Sequence, residues 1–288
     1  MTDAAFPVSP VRDRRVSTDR RSVEHLVETL LRPGNWGSSF AYSLGLQGRL
    51  RVSTTQIHTG IARREPLRIA FASDFHAGGF TDQRRLVEAC EALASMKPDV
   101  LLLGGDYVSV RGADIQRLAP HIADIPTRYG KFGVLGNHDL RANHGLIVAA
   151  LERAGVRIMT NEHTRMPDEF ADVSICGLDD PTYGAPRGDL AMDGAEGTRV
   201  VLMHSPDGVR AIGDRAFHLA LCGHTHGGQV RLPWGPPLIV PRGRLSRRYA
   251  SGRFELGART LLVSHGVGCS GVPVRTFAPP EVHLCLIS

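Results

Sequence analysis

The feature that most narrows the fold of this 288-residue chain is a pattern that occurs five times: an apolar run ends, and Asp, His or Asn follows at once. LRIAFAS leads to Asp74 and His76, DVLLLGG to Asp106, and FGVLG to Asn137, His138 and Asp139. RVVLM leads to His204, and HLALCG to His224 and His226. The apolar runs read as strands, joined by VRIMT and VSICG. Between them, apolar residues at helical spacing predict helices over residues 82–96 and 114–122, after Asn143 and, briefly, after Pro206. This is a βαβ rhythm, which calls for an α/β architecture.

Beyond Gly227 the helical spacing stops. GGQVRLP, RYASGRFEL, RTLLVSHG and EVHLCLIS, bounded by Gly and Pro, predict the strands of a second, more antiparallel sheet. The expected fold class is therefore α/β in four layers (α+β in its mixture of strands), with two mixed sheets packed face to face and helices on both outer sides. A strand near residues 49–57 opens a domain over 49–288. Residues 1–48 read as a basic flexible leader, with VRDRRVSTDRR, and a short amphipathic helix, SVEHLVETLLR, stopped by Pro33 and Gly34.

With 42% hydrophobic and 22% charged residues, the composition excludes a disordered, fibrous or membrane-spanning chain. No run approaches the roughly 18 apolar residues of a spanning helix, and the first thirty residues have no apolar signal core, so a cytoplasmic location is expected. The net charge of +5 favours anionic partners without choosing among them. The five cysteines are odd in number, widely spaced and without a CxxC pair, so they read as buried thiols.

In α/β sheets ligands gather at the carboxyl ends of strands, so five such ends in one sheet would converge on a single crevice. Gly105, Gly136 and Gly223 stand directly before three of the clusters, where tight turns are expected. A single Asp after a strand is most often a helix cap or turn former, and a single His a hydrogen-bonded structural residue. Polar groups at five successive strand ends, with almost no aliphatic ones, are not turn chemistry. Carboxylates, an amide and neutral imidazoles suit Mn, Fe or Zn, while a thiolate site would need cysteines these clusters lack. Cys222, two residues before His224, reads as a buried strand residue.

DFH at 74–76, GGD at 104–106, GNHD at 136–139, MHSPD at 203–207 and GHTH at 223–226 occur in the order that resembles the calcineurin-like metallophosphoesterase superfamily. GLDDP at 177–181, CGHTHGGQVRLP at 222–233 and SHGVGCSGVPVRTFAPPE at 264–281 are similar to a bacterial branch of membrane-associated phosphodiesterases. The resemblance implies the metallophosphoesterase fold and two divalent metal ions (Mn, Fe or Zn). By that resemblance Asp74, His76 and His226 bind one ion, Asn137, His204 and His224 the other, and Asp106 bridges them. It also implies catalytic roles for His138 at the leaving oxygen and for Asp139 in orienting that imidazole. The reaction implied is attack of a metal-bridging hydroxide on a phosphodiester or pyrophosphate bond. Ser109 stands where purple acid phosphatases carry a tyrosine, and Asp139 where protein phosphatases carry Glu, so neither subgroup is matched.

In that branch the implied substrate is a lipid-linked or nucleotide-sugar phosphate ester. Two other readings are a phosphodiesterase of cyclic nucleotides or small esters, and a metal-free binding scaffold of the same fold. The leader, the amphipathic helix and the apolar loop LPWGPPLIVP at 232–241 are candidates for a peripheral membrane contact at the inner surface. Nucleic acid is not an expected partner, since no aromatic-rich basic motif is present. Arg275 reads either as a phosphate contact or as a surface ion pair, and is left outside the site.

Overall fold

The computed structural model describes residues 35–288, apart from Ala62 and Arg242. The basic leader and the helix expected over residues 22–31 lie outside the described residues. The first sheet has the order β1-β12-β2-β3-β4-β5: β1 (Arg51–Ile57), β2 (Leu67–Ala72), β3 (Val100–Leu103), β4 (Lys131–Gly133), β5 (Val156–Ile158) and β12 (Glu281–Ile287). The second has the order β10-β11-β9-β8-β7-β6: β6 (Glu162–Arg165), β7 (Val173–Gly177), β8 (Thr198–Leu202), β9 (Leu219–Cys222), β10 (Gly252–Leu256) and β11 (Arg259–Val263).

Alternation along the strands builds the layers. Leu67, Ile69 and Phe71 of β2, with Val100 and Leu102 of β3, meet Ile175, Val200, Leu202, Leu219 and Leu221 between the two sheets. Their neighbours Ala70, Ala72, Leu101 and Leu103 turn outward to α2 (Gln83–Ser95) and α5 (His144–Arg153). On the far side, Val201, Ala220 and Val263 cover Met192 of α6 (Gly188–Met192) and Ile212 of α7 (Val209–Ile212). Strands covered on both faces need apolar residues at every position, which is why these runs lack a polar alternation. Each large aliphatic side chain so buried contributes about 1.5–3 kcal/mol.

The helix expected over 82–96 forms as α2, because the Asp82 side chain accepts from Arg84 N at 2.9 Å and caps it. The helix expected over 114–122 is broken at Leu118 into a 3-10 turn, Gly112–Arg117, and α3 (Ala119–Ala123). Pro120 has no N–H to continue an earlier helix and is tolerated in a first turn. Three short helices went unpredicted: α6, α4 (Asn137–Arg141), inside the GNHD segment, and α1 (Trp36–Ser43), whose Tyr42 ring lies under the Arg84 guanidinium at 4.4 Å.

The expectation of a separate, more antiparallel sheet after Gly227 is corrected. β11 runs parallel to β9, and β12 enters the first sheet, parallel to β1 and antiparallel to β2. GGQVRLP forms no strand, only isolated bridges from Val230 to Thr276 and from Arg231 to Pro237. Pro233, Pro236 and Pro237 cannot donate to a ladder. The five cysteines are buried and unpaired. No helix among the described residues is long and apolar enough to cross a membrane.

Glu281 pins β12 to β1. Its Oε1 accepts from Arg51 Nη2 at 2.7 Å and Ser53 Oγ at 2.6 Å, while His283 Nε2 lies 3.3 Å from Oε2. Burial alone would raise this carboxyl, but His283, then Ser53 and His265, outweigh it and hold it well below the usual range. A depressed carboxyl stabilises the fold above its unfolded pKa, and that contribution is lost as pH falls through the folded value. Glu281→Gln is expected to cost about 2 kcal/mol near pH 7. In urea melts the gap from wild type should narrow as pH falls below about 4, because the carboxyl of the unfolded chain takes up its proton before the folded one does. A gap constant from neutral to acid pH would show that another group carries the effect.

Candidate metal centre

All five polar clusters stand at carboxyl ends of strands, but on two sheets rather than the one expected. Asp74 with His76, Asp106, and Asn137 with His138 follow β2, β3 and β4, whereas His204 and the pair His224 and His226 follow β8 and β9. The facing edges of the sheets bring them together. His226 Nε2 lies 3.5 Å from Asp74 Oδ1 and 3.0 Å from His76 Nε2. His204 Nε2 lies 3.1 Å from Asn137 Oδ1 and 3.2 Å from His224 Nδ1. Asp106 Oδ2 stands between the groups, 3.6 Å from His76 Nε2 and 3.3 Å from His204 Nε2.

The backbone is forced to make this possible. Asp74, His76, Asp106, His224 and His226 all have left-handed φ, from 46° to 70°. Such conformations cost non-glycine residues of order 1–3 kcal/mol each and cluster where surrounding structure over-determines them. Here the determining bonds cross between the sheets. The Asp74 carboxylate accepts from His224 N at 3.1 and 3.0 Å, and His204 Nδ1 donates to Gly104 O at 2.8 Å. Of the three glycines expected in turns, Gly105 has the left-handed φ of 84°. Gly136 and Gly223 do not; a Cβ there would overlap Asp106 Oδ1 and Asp74 Oδ2 respectively, so they permit close approach instead.

Asp139, expected to orient the His138 imidazole, holds backbone amides. Its oxygens accept from Asp106 N (2.7 Å), Tyr107 N (2.9 Å), Gly136 N (3.0 Å) and Val108 N (3.3 Å). It thereby holds the loop that carries Asp106. His138 is instead seated by Ser109 O, 2.5 Å from Nδ1, with its backbone N donating to Asp106 Oδ1 at 2.7 Å and its ring edge-on to His76 at 4.7 Å.

Electrostatics test whether the donors suit cations. Burial first, then positive neighbours, push His76 and His226 well below the usual range and His224 down to about 3, so their imidazoles stay neutral with lone pairs available. Burial also pulls His204 down, but Asp106, then Asp74 and Asp180, outweigh it and raise its proton affinity. Burial lifts the Asp74 carboxyl to about 6 against the pull of His204, while Asp106 overcomes burial through His204 and His138 and stays ionised. The neutral imidazoles of His76 and His226, facing each other at 3.0 Å, with that of His224, beside buried carboxylates and an amide oxygen, form a donor set that borderline divalent cations fit. Two groups of donors, Asp74 with His76 and His226, and Asp106 with His204 and His224, each gather their ligand atoms within 4.8 Å.

Cys222 is the buried strand residue that the sequence predicts, whereas Arg275 was misjudged and Asp180 missed. Cys222 faces the outer apolar layer behind the second sheet and not the crevice. Arg275 is neither a surface ion pair nor open to a phosphate. It is buried, donates to the carbonyls of Gly268 (2.9 Å), His265 (2.9 Å) and Ala278 (3.0 Å), and lies 3.3 Å from His226 Nδ1. Asp180, after β7, is fully buried, with Oδ1 lacking a hydrogen-bond partner, and burial lifts its carboxyl to about 6. The run VSICGL followed by Asp179 and Asp180 repeats the strand-then-polar signal and was the clue to it.

Comparison with known proteins agrees with this geometry. Residues 67–228, more than half of the chain, match the calcineurin-like phosphoesterase family. The phosphodiesterase YaeI of Escherichia coli (strain K12) is 33% identical over 227 residues, 75% of this chain and 80% of that protein. YkuE of Bacillus subtilis (strain 168), an uncharacterized metallophosphoesterase, is 27% identical over 259 residues, 85% of this chain and 88% of that one. An uncharacterized metallophosphoesterase of Aquifex aeolicus (strain VF5) is 28% identical over 249 residues, 83% of this chain and 92% of that one. On that match, and on the identity shared with YaeI, the chain belongs to the calcineurin-like phosphoesterase family and is a metal-dependent hydrolase of phosphate esters.

Proposed function

We propose that this chain hydrolyses a phosphodiester or pyrophosphate bond at a centre of two divalent cations, with Mn, Fe or Zn as the candidate metals. The observation that carries the reading is the shared position of Asp106 Oδ2, within 3.6 Å of His76 Nε2 and 3.3 Å of His204 Nε2. Asp74, His76 and His226 would hold one cation, Asn137, His204 and His224 the other, and the Asp106 carboxylate both. Bound there, the cations supply Lewis acidity, a nucleophile drawn from water at neutral pH, and neutralisation of phosphoryl charge.

The chain's own residues do the rest. With Nδ1 donating to Ser109 O, His138 keeps a fixed tautomer, and its other nitrogen is the one that delivers a proton to the leaving oxygen. Asp139 is a positioning residue, since the amides it binds set where Asp106 points. Hydrolysis of a diester is supported by the similarity to the phosphodiesterase YaeI. A lipid-linked or nucleotide-sugar substrate rests on the GLDDP, CGHTHGGQVRLP and SHGVGCSGVPVRTFAPPE motifs. The loop at 232–241 supports a peripheral membrane contact: Trp234 is fully exposed, and Leu232, Leu238 and Ile239 are at least half exposed.

Divalent-metal-dependent release of nitrophenol from bis(p-nitrophenyl) phosphate is the decisive assay, and no turnover with any divalent metal would favour a binding scaffold instead. His138→Ala should lower kcat by about 10²–10⁴-fold while both metals remain, as measured by elemental analysis. Metal loss in that variant would make His138 a ligand. Asp106→Asn should weaken binding of both cations, because the shared position needs a negative charge. Two tightly held metals in that variant would contradict the bridging role.

A further inference from the structure

The cation assigned to Asn137, His204 and His224 has no carboxylate of its own. Its donors are an amide and two imidazoles, and it shares Asp106 with the other ion, which also has Asp74. Two divalent ions carry more positive charge than Asp74 and Asp106 offset, and in a buried crevice such an imbalance weakens binding. Asp139 brings no free oxygen to correct it, because four backbone amides occupy its carboxylate.

Asp180 stands at the same end of the same sheet. β7 runs parallel to β8 with Gly177 opposite Leu202, and Leu178 N donates to Leu202 O at 2.9 Å, so the segment after β7 leaves the sheet beside the one that carries His204. On its other flank the centre of the Tyr183 ring lies 5.8 Å from the guanidinium carbon of Arg141, on the helix that opens with Asn137. Asp180 is thus set between the strand of one ligand and the helix of another. Its Oδ2 accepts from Thr182 N and Tyr183 N, both at 2.8 Å, and Asp179 braces the turn by accepting from Asp180 N and Ala185 N at 2.8 Å each. No group among the described residues bonds Oδ1, although the side chain is fully buried. Burial lifts this carboxyl, His204 is the first charge to oppose the lift, and Asp180 follows Asp106 and Asp74 in raising His204. An unpaired charged oxygen is costly to bury, and so calls for a bound partner.

We propose that Asp180 serves the second cation without ligating it: its charge supplies the carboxylate that Asn137, His204 and His224 lack, and Oδ1 accepts a hydrogen bond from water drawn in with that ion. Asp180 is then a positioning residue that raises affinity on the His204 side and leaves the ion of Asp74, His76 and His226 unaffected. This rests on the two-cation reading given above.

The test titrates Mn²⁺ calorimetrically into the metal-free full chain. Wild type should take up two ions, and Asp180→Asn should bind one of them about ten- to a hundredfold more weakly. Made in a His226→Ala background, where the remaining ion sits on the His204 side, the same change should cost the same factor. In a His204→Ala background, where the remaining ion sits on the Asp74 side, it should leave affinity almost unchanged. Urea melts without metal separate this from a structural role: metal-free Asp180→Asn should be no less stable than metal-free wild type, since it buries no charge. Asp180→Ser, whose hydroxyl can still accept from the turn amides, is the second neutral variant should the first not fold. Equal losses at both ions, or no loss at either, would overturn the assignment, and destabilisation without metal at unchanged ion affinity would leave Asp180 a brace of the turn. A wild type that takes up a single ion would instead sink the two-cation reading, and this inference with it.

Discussion

The centre depends on a few hydrogen bonds that cross from one sheet to the other. The Asp74 carboxylate, from the first sheet, takes the backbone N–H of His224, from the second, and the His204 imidazole, from the second, donates to Gly104 O in the first. Without these crossings, two sheets in apolar contact could slide by a residue at little cost in buried area, since the hydrophobic effect is non-directional. With them, the loop ends are indexed to within hydrogen-bond tolerance. The same bonds offset the five left-handed residues, whose combined strain is several kcal/mol and would otherwise relax the loops away from the crevice.

The charge pattern follows from that confinement. Burial makes His76, His224 and His226 poor bases and therefore free lone-pair donors, while the carboxylates beside His204 raise its proton affinity. The crevice thus attracts positive charge at the place where Asp106 is shared. Behind it, Arg275 brings a guanidinium close to His226 and is itself satisfied by carbonyls, so the wall is rigid without adding a competing carboxylate.

Much of this was legible in the sequence, because local signals carry it. Apolar runs such as LRIAFA and VLLL have no polar face, and the residues directly after them sit on the crevice whichever sheet they join. What local signals do not carry is the partner of each strand. Nothing in EVHLCLI distinguishes a place beside β2 from a place beside β11, since either neighbour offers apolar residues at alternating positions. The partners of Asp139 were hidden for a related reason: spacing puts it near His138, but its oxygens bind three backbone amides from a loop some thirty residues earlier in the chain, together with that of Gly136. Arg275 was opaque because an arginine buried against carbonyls leaves no compositional trace.

The seat of β12 in the first sheet has a kinetic meaning. It joins residues as far apart as Arg51 and Glu281, 230 positions along the chain, so this pairing is among the most distant contacts the fold must close. Long-range parallel pairing is slow, because loop entropy is lost before the contact rewards it. Until it arrives, β2 presents an open edge with Leu67, Ile69 and Phe71 along it, the kind of uncapped apolar ribbon that templates self-association. Refolding yield should therefore be governed by how long that ribbon waits for its partner, more than by how quickly the interior βαβ units assemble.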